Sequence, residues 1–337
     1  MWRLGPVRTE AFAYALPEAA IAQTPVEPRD AARLLVDRTD GPSEDRQVSD
    51  LPDLLRAGDL LVVNDTRVIP ARLALTKATG GRAEVLLAER TGGRTWTALV
   101  RPGRRLLPGT LLHHGDDPVV EVGEVLAEGE RAVRLLGDEE PLALLGRLGA
   151  VPLPPYITAP LGDPERYQTV FADRPGSAAA PTAGLHLTDA LLRRCRARGI
   201  TVATVDLEVG LGTFAPIRTD DVEDHVVHTE RYAIPADTVA AVEAAERVVA
   251  VGTTVVRTLE SWAATGRTEG PTDLFIRRGH EFAKVDVLLT NFHVPRSSLL
   301  VLVDAFVGDR WRDLYATALA RGYRFLSFGD AMLLARR

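Results

Sequence analysis

Between Arg72 and about Leu136, apolar and polar residues alternate in short pieces: "RLALTKA", "RAEVLLAER", "TWTALVRP", "TLLHHG", "VVEVGEVLA" and "RAVRLLG", broken by Gly-rich turns. Alternation with a period of two sends successive side chains to opposite faces, so these pieces predict a small antiparallel barrel or sandwich. Further along, the rhythm changes. "LTDALLRRCRARG" has helical spacing behind a Thr188 cap, "ITVATVDLEVG" is a β run, "PADTVAAVEAAER" is a helix opening at Pro235, and "VVAVG" is a buried strand. The alternation continues through "TVVRTLESWAATG" (helix), "VDVLLTNF" (strand), "SSLLVLVDAFVG" and "RDLYATALARG" (helices) and "YRFLSFG" (strand). Ahead of the barrel-like part, "DLLVVNDTRVIPARL" supplies another strand that ends in polar residues. The expected fold class is α/β, an open sheet layered by helices and interrupted by an inserted small antiparallel β-barrel domain. Residues 1–71 and 151–337 form the α/β domain that carries the site, and residues 72–150 the insert. "VPLPPYITAPLGDP" is the clearest linker, because its prolines forbid both helix and central strand.

Composition narrows the classes. With 337 residues, 46% hydrophobic and 26% charged, the chain reads as soluble and globular, with about two domains. No apolar run approaches the roughly 20 residues of a membrane-spanning helix. Glu10, Pro17 and Glu18 interrupt any signal-like segment behind Arg3 and Arg8, so a cytoplasmic location without a membrane partner is expected. The one cysteine, Cys195, excludes an intramolecular disulfide and a multi-thiolate zinc site, and the seven histidines form no H-x-x-x-H pair in a helical pattern. No metal is expected. A net charge of −6 argues against broad attraction to polyanions, so nucleic acid would need a local arginine patch. The candidates are Arg101, Arg104 and Arg105, the pair Arg277 and Arg278, and the face carrying Arg193, Arg194, Arg196 and Arg198.

Open α/β sheets bind ligands where strands end. Four apolar runs end in small and hydrogen-bonding residues: Asn64-Asp65-Thr66-Arg67, Gly210-Leu211-Gly212-Thr213, Gly252-Thr253-Thr254 and Thr290-Asn291-Phe292-His293. Four such ends suggest one shared polar crevice. Gly210-x-Gly212-x-x-Ala215 is not a dinucleotide turn, because Pro216 and "IRTDDVEDH" follow where a helix should begin. Its glycines either let main chain approach a flat ligand or form a plain turn. In "AAAPTAGLHLT", His186 is either an acid–base group or a hydrogen-bonded structural histidine. In "HVVHTERY", His228 and Glu230 share one face if the stretch is a strand; a carboxylate beside imidazole raises its basicity, and a surface ion pair is the alternative.

Eight motifs in order, "GDLLVVNDTRVIPARL", "PLPPYI", "ERYQTVFA", "APTAGLHLT", "VGLGTFAPI", "VGTTVVRTLES", "LLTNFHVPRSSLLVLVDAF" and "GYRFLSFGDAML", resemble the S-adenosylmethionine:tRNA ribosyltransferase-isomerases of queuosine biosynthesis. The likeness runs from about Phe12 to Met332. It implies an α/β domain with an inserted barrel, and S-adenosylmethionine as ribosyl donor substrate without metal or further cofactor. It also implies tRNA as partner and a monomer or weak oligomer. The ribosyl portion would pass to 7-aminomethyl-7-deazaguanine in tRNA, giving epoxyqueuosine with loss of adenine and methionine. The resemblance makes His186 and His228 the acid–base candidates, with Glu230 or Glu260 orienting one of them. It places Asn64, Asp65, Arg67, Thr182, Gly184, Glu208, Gly210, Gly212, Thr213, Gly252, Thr253, Thr254, Arg257, Asn291 and His293 at the substrates, and Tyr156 and Phe292 either face the sulfonium or are ordinary core aromatics. Some positions depart from the family's pattern: Glu208 for His, Ala215 for Arg, Leu187 for Phe, Val255 for Ser, and "FIRRGHEF" for "FIYPGY-F". Two other readings follow from these departures: a relative that uses S-adenosylmethionine on a different, small-molecule acceptor, and a non-catalytic tRNA-binding protein.

Overall fold

The computed structural model describes residues 7–38, 41–126, 129–210 and 216–337. The chain divides into two compact units, one of Met1–Thr66, Pro155–Arg174 and Ala180–Arg337, the other of Arg67–Pro154 and Pro175–Ala179. In the first, β1 (Arg33–Asp37), β2 (Glu44–Gln47), α1 (Leu51–Leu54) and β3 (Asp59–Asn64) come first, and β4 (Thr66–Val68) leads into the second. That unit holds β5 (Arg72–Lys77), β6 (Arg82–Gly92), β7 (Thr95–Arg101), β8 (Thr110–His114), β9 (Asp117–Val125), β10 (Arg131–Leu135), α2 (Pro141–Leu148) and β11 (Gly149–Ala150). After β12 (Arg174–Ser177), the first unit resumes with α3 (Asp189–Ala197), β13 (Thr201–Leu207), β14 (Glu230–Ala233), α4 (Ala236–Ala244), β15 (Arg247–Val251) and α5 (Thr253–Thr265). It ends with β16 (Glu269–Thr272), β17 (Val287–Asn291), α6 (Ser298–Val307), α7 (Arg310–Ala320) and β18 (Ala331–Ala335).

The second unit is a six-stranded antiparallel barrel. Its strands follow the order β5-β6-β7-β10-β9-β8, and β8 pairs back onto β5, which removes both sheet edges. β11 adds to β5 at Leu73 and Arg72, leaving Thr76 and Lys77 for β8. Val85, Leu87, Trp96, Ala98, Val120 and Val133 fill the interior from alternate positions, as the period of two requires.

The first unit is an open nine-stranded sheet, in the order β16-β14-β13-β3-β15-β17-β18-β1-β2. β13, β3, β15 and β17 run parallel. Every residue of β3 is buried, which is why "DLLVVN" reads as a continuous apolar run rather than an alternation. Register between β3 and β15 is fixed at their start, where Asp59 faces Arg247 and takes two hydrogen bonds from its guanidinium, at 2.8 and 2.5 Å. At the other end Asn64 ties β3 to β13: its Oδ1 accepts from the Leu207 and Thr66 amides and its Nδ2 donates to the Leu207 carbonyl. α1 and α3 cover one face, where Leu51, Leu191, Leu192 and Cys195 pack on Leu61, Val63, Val249, Val251 and Leu289. The caps are those expected from sequence. The Thr188 hydroxyl accepts from Leu191 at the start of α3, and Pro235 precedes α4. No helix among the described residues is long and apolar enough to cross a membrane.

One expected strand is absent. "YRFLSFG" is a turned segment with Leu326 at φ 69°, and the strand begins only at Ala331. Tyr323 and Phe325 pack on Phe292 instead of alternating across a sheet, with ring centroids 5.8 and 4.6 Å away. Aromatic content mimicked β propensity where the aromatics serve a side-on cluster.

Asn64 is the joint that sets the mouth of β3 against β13. Asn64→Ala should lower unfolding free energy by about 3 kcal/mol, because three buried backbone groups lose their partner. Chemical denaturation measures this; a change within error of zero would mean that the joint is dispensable.

Candidate active site

Because β13, β3, β15 and β17 are parallel neighbours, their carboxyl ends lie along one edge of the sheet. The polar ends read from sequence are brought together there, with two exceptions. Gly212 and Thr213, with Ala215, lie outside the described residues. Arg67 is the first residue of the barrel unit.

At the β13 end, Glu230 is the organising group. Its Oε1 accepts from the Gly210 amide at 2.9 Å, and its Oε2 accepts from Nη1 of Arg257 on α5. Glu230 and Arg257 are 5% and 8% exposed, so the pair is desolvated and each charge depends on the other. They line a pocket of about 40 Å³ with His225, His228, Leu274, Phe275, Ser298 and Leu299. The strand begins only at Glu230, so His228 and Glu230 do not share a strand face. The chain through His228 is irregular, and the imidazole is exposed at the pocket.

Acidic groups gather where β3 meets β13. Asp65 has the parity of Leu61 and Val63, the buried positions facing α3. Its Oδ1 is buried without a partner among the described residues, and its Oδ2 lies 4.0 Å from Nε of Arg174. Burial raises the Asp65 carboxyl above its ordinary range. Asp206 stands beside it and is pushed up to about 6, first by burial and then by the charges of Asp65 and Glu208. Sequence reasoning did not single out Asp206. The signal was present in "VDLEVG", where Asp206 and Glu208 alternate with buried Val205, Leu207 and Val209 and so share a face.

At the β17 end, Asn291 fixes its own orientation. Its Oδ1 accepts from the Thr182 hydroxyl at 3.2 Å and its Nδ2 donates to the Leu326 carbonyl, also at 3.2 Å, which sets the amide. The same Nδ2 therefore donates to Nε2 of His186 at 3.0 Å, and the His186 proton resides on Nδ1. Burial lowers His186 to about 4 and His293 to about 3. His293 Nε2 meets the Thr290 hydroxyl at 3.0 Å. Tyr156, half-buried, shares a 2.8 Å hydrogen bond with Ser327. Gly184 sits where a Cβ would come within 2.9 Å of Phe171 and Thr169, which explains its lack of a side chain. Between these groups, Gly252 (φ 91°) starts α5, Thr253 and Thr254 occupy its first turn, and the Thr254 hydroxyl is buried without a partner among the described residues.

Two expected roles are corrected. Glu260 orients neither histidine: its Oε1 accepts from the Lys284 and Val285 amides and its Oε2 from Ala283, with His280 at 3.4 Å, so it anchors the chain entering β17. A carboxylate two turns into α5 faces the neighbouring loop and not the strand mouths. Phe292 offers no face to a ligand; it is 0% exposed and covered by Phe325, Tyr315 and Tyr323. Several arginines proposed for nucleic acid are engaged by carboxylates: Arg278 by Asp304 and Asp309, Arg277 by Glu223, and Arg194 and Arg198 by Asp53.

The family model described as "Queuosine biosynthesis protein" matches residues 9–334. The chain belongs to this family. An S-adenosylmethionine:tRNA ribosyltransferase-isomerase of Rubrobacter xylanophilus is 53% identical over 334 residues, covering 97% of this chain and 98% of its own. Its counterpart in Moorella thermoacetica is 51% identical over 341 residues, covering 97% and 100%. The crystal structure of S-adenosylmethionine tRNA ribosyltransferase from Thermotoga maritima aligns with a TM-score of 0.54 at 38% identity, covering 96% of this chain and 99% of that one. The chain is thus an S-adenosylmethionine-dependent ribosyltransferase-isomerase of queuosine biosynthesis, and the fold class and family expected from sequence both hold.

The two buried histidines make stability fall in acid. Both stay neutral in the folded state below the ordinary value of 6.5, whereas the unfolded chain takes up protons there. Each therefore removes about 1.4 kcal/mol per pH unit between roughly 6.5 and 4. Asp206, raised when folded, opposes this with one group between its unfolded value of 3.8 and about 6. Unfolding free energy should drop from pH 6.5 to 5, and His186→Gln combined with His293→Gln should abolish the drop; an unchanged slope would show that the two histidines do not cause it.

Proposed function

We propose that this enzyme transfers and isomerises the ribosyl moiety of S-adenosylmethionine onto 7-aminomethyl-7-deazaguanine in tRNA, yielding epoxyqueuosine, adenine and methionine. The observation that carries the reading is the convergence of polar ends from parallel strands at one edge of the sheet. It supplies carboxylates for a cation and imidazoles for proton transfer within one unit. A sulfonium acidifies the adjacent C5′ hydrogen, so a modest base suffices when water is excluded. His228 is the proton acceptor in this scheme, since its ring is exposed at the pocket while Glu230 and Arg257 fix the wall behind it. His186 is neutral and held by Asn291, which suits a hydrogen-bonding role toward the departing adenine rather than the first deprotonation. Asp65, Asp206 and Glu208 face the positive sulfur or the aminomethyl ammonium. Asp206, held near 6, can take the proton that the amine must lose before it attacks. The carbon–sulfur electron pair leaves with methionine as the epoxide closes.

The test is incubation with S-adenosylmethionine and tRNA carrying the aminomethyl base, with free 7-aminomethyl-7-deazaguanine in parallel, followed by mass analysis. Adenine and the modified nucleoside should appear together only with the tRNA. Product from the free base would identify a small-molecule acceptor instead, and no adenine with either would refute the reaction. His228→Ala should reduce turnover at least about a hundredfold, and full turnover would remove it from proton transfer.

A further inference from the structure

Arg257 distributes its guanidinium unevenly. Nη1 is taken by Glu230 and Nε donates to the Leu274 carbonyl at 3.2 Å, but Nη2 has no acceptor among the described residues although the residue is 8% exposed. Buried guanidinium donors are normally satisfied, so an orphan at a pocket wall marks a place kept for an acceptor. Glu230 cannot serve, because its Oε1 is engaged by Gly210 and its Oε2 by Nη1. A second, separate feature faces the same pocket. Ser298 and Leu299, the first two residues of the ten-residue α6, line it. The Ser297 hydroxyl caps only the Leu300 amide, and the bridge of Ser297 with Pro216 engages the amide that follows it, leaving the Leu299 amide without an intrahelical acceptor at the positive end of the helix. His225 and His228 complete a wall rich in donors, with Glu230 as the one carboxylate among the described lining residues.

We propose that this pocket receives an anionic oxygen group of a substrate, a carboxylate or a phosphate, with Arg257 Nη2 and the amino end of α6 as donors. The inference rests on the proposed reaction, whose substrates offer two such groups: the α-carboxylate of S-adenosylmethionine and the tRNA phosphodiester.

Binding of S-adenosylmethionine, decarboxylated S-adenosylmethionine and substrate tRNA is measured at fixed salt on three full-length proteins: wild type, Ser298→Asp, and Arg257→Gln combined with Glu230→Gln. The double variant removes both charges together, so neither is left buried alone. Ser298→Asp leaves the ion pair intact, suits the first turn of a helix, and puts a carboxylate where the ligand's anion would lie. If the group is the carboxylate, wild type favours S-adenosylmethionine over its decarboxylated form at least tenfold, and both variants bring that ratio near one. If it is a phosphate, the ratio is unaffected and tRNA affinity falls at least tenfold in both variants. Should folded Ser298→Asp, with wild-type Tm, change neither quantity, the proposal is overturned, whether or not the double variant folds. Failure of the parent reading is seen separately, as absence of adenine release by wild type, and leaves these binding results standing.

Discussion

The site depends on one desolvated ion pair. Glu230 opens β14 and Arg257 lies on α5, so their contact joins the edge of the sheet to the helix that starts at the end of β15, and the Gly210 amide is caught by the same carboxylate. Such a pair gives little net stability over an apolar substitute, but losing one partner strands the other charge and costs about 3–5 kcal/mol. Its value is positional. With both groups needing each other, the end of β13, the start of β14 and α5 hold one relative placement, and a pocket between them keeps its shape without ligand. Pre-set donors and acceptors matter in a reaction that passes through separated charge, because the protein need not reorganise as that charge develops.

Around this pair the edge of the sheet is electrically uneven. Carboxylates concentrate where β3 meets β13, neutral imidazole and amide groups lie by β17, and the starts of α5 and α6 present amides. Neutrality of His186 follows from burial assisted by Arg324 and Arg29, and that of His293 from burial alone, so neither needs a carboxylate partner to fix its state.

The sequence was informative where local chemistry and global position coincide. Parallel, doubly buried strands announce themselves as apolar runs with polar terminators, so the ends at Asn64, Gly210, Gly252 and Asn291 were readable one by one. Their convergence is a matter of strand order, which no local pattern contains. Glu260 shows the limit: its charge and motif suited an orienting role, while its partners are backbone amides 23 to 25 positions away. Phe292 and "YRFLSFG" were misjudged for a related reason, since an aromatic cluster assembled from distant turns resembles a ligand platform or a strand when seen in one dimension. Asp206 was legible by alternation and was passed over. The hairpin of β1 and β2 was missed because β2 is polar throughout and carries no apolar rhythm.

The direction of β18 has a consequence for how the domain is made. β18 runs against β17 and along β1, and among the described residues β1 has only β2 as its other sheet partner. The β1–β2 hairpin thus joins the main body of the sheet only through β18, a strand about 300 residues further along the chain. Until β18 is made, the hairpin has no sheet edge to dock on, so this part of the fold waits for a contact of very long sequence separation.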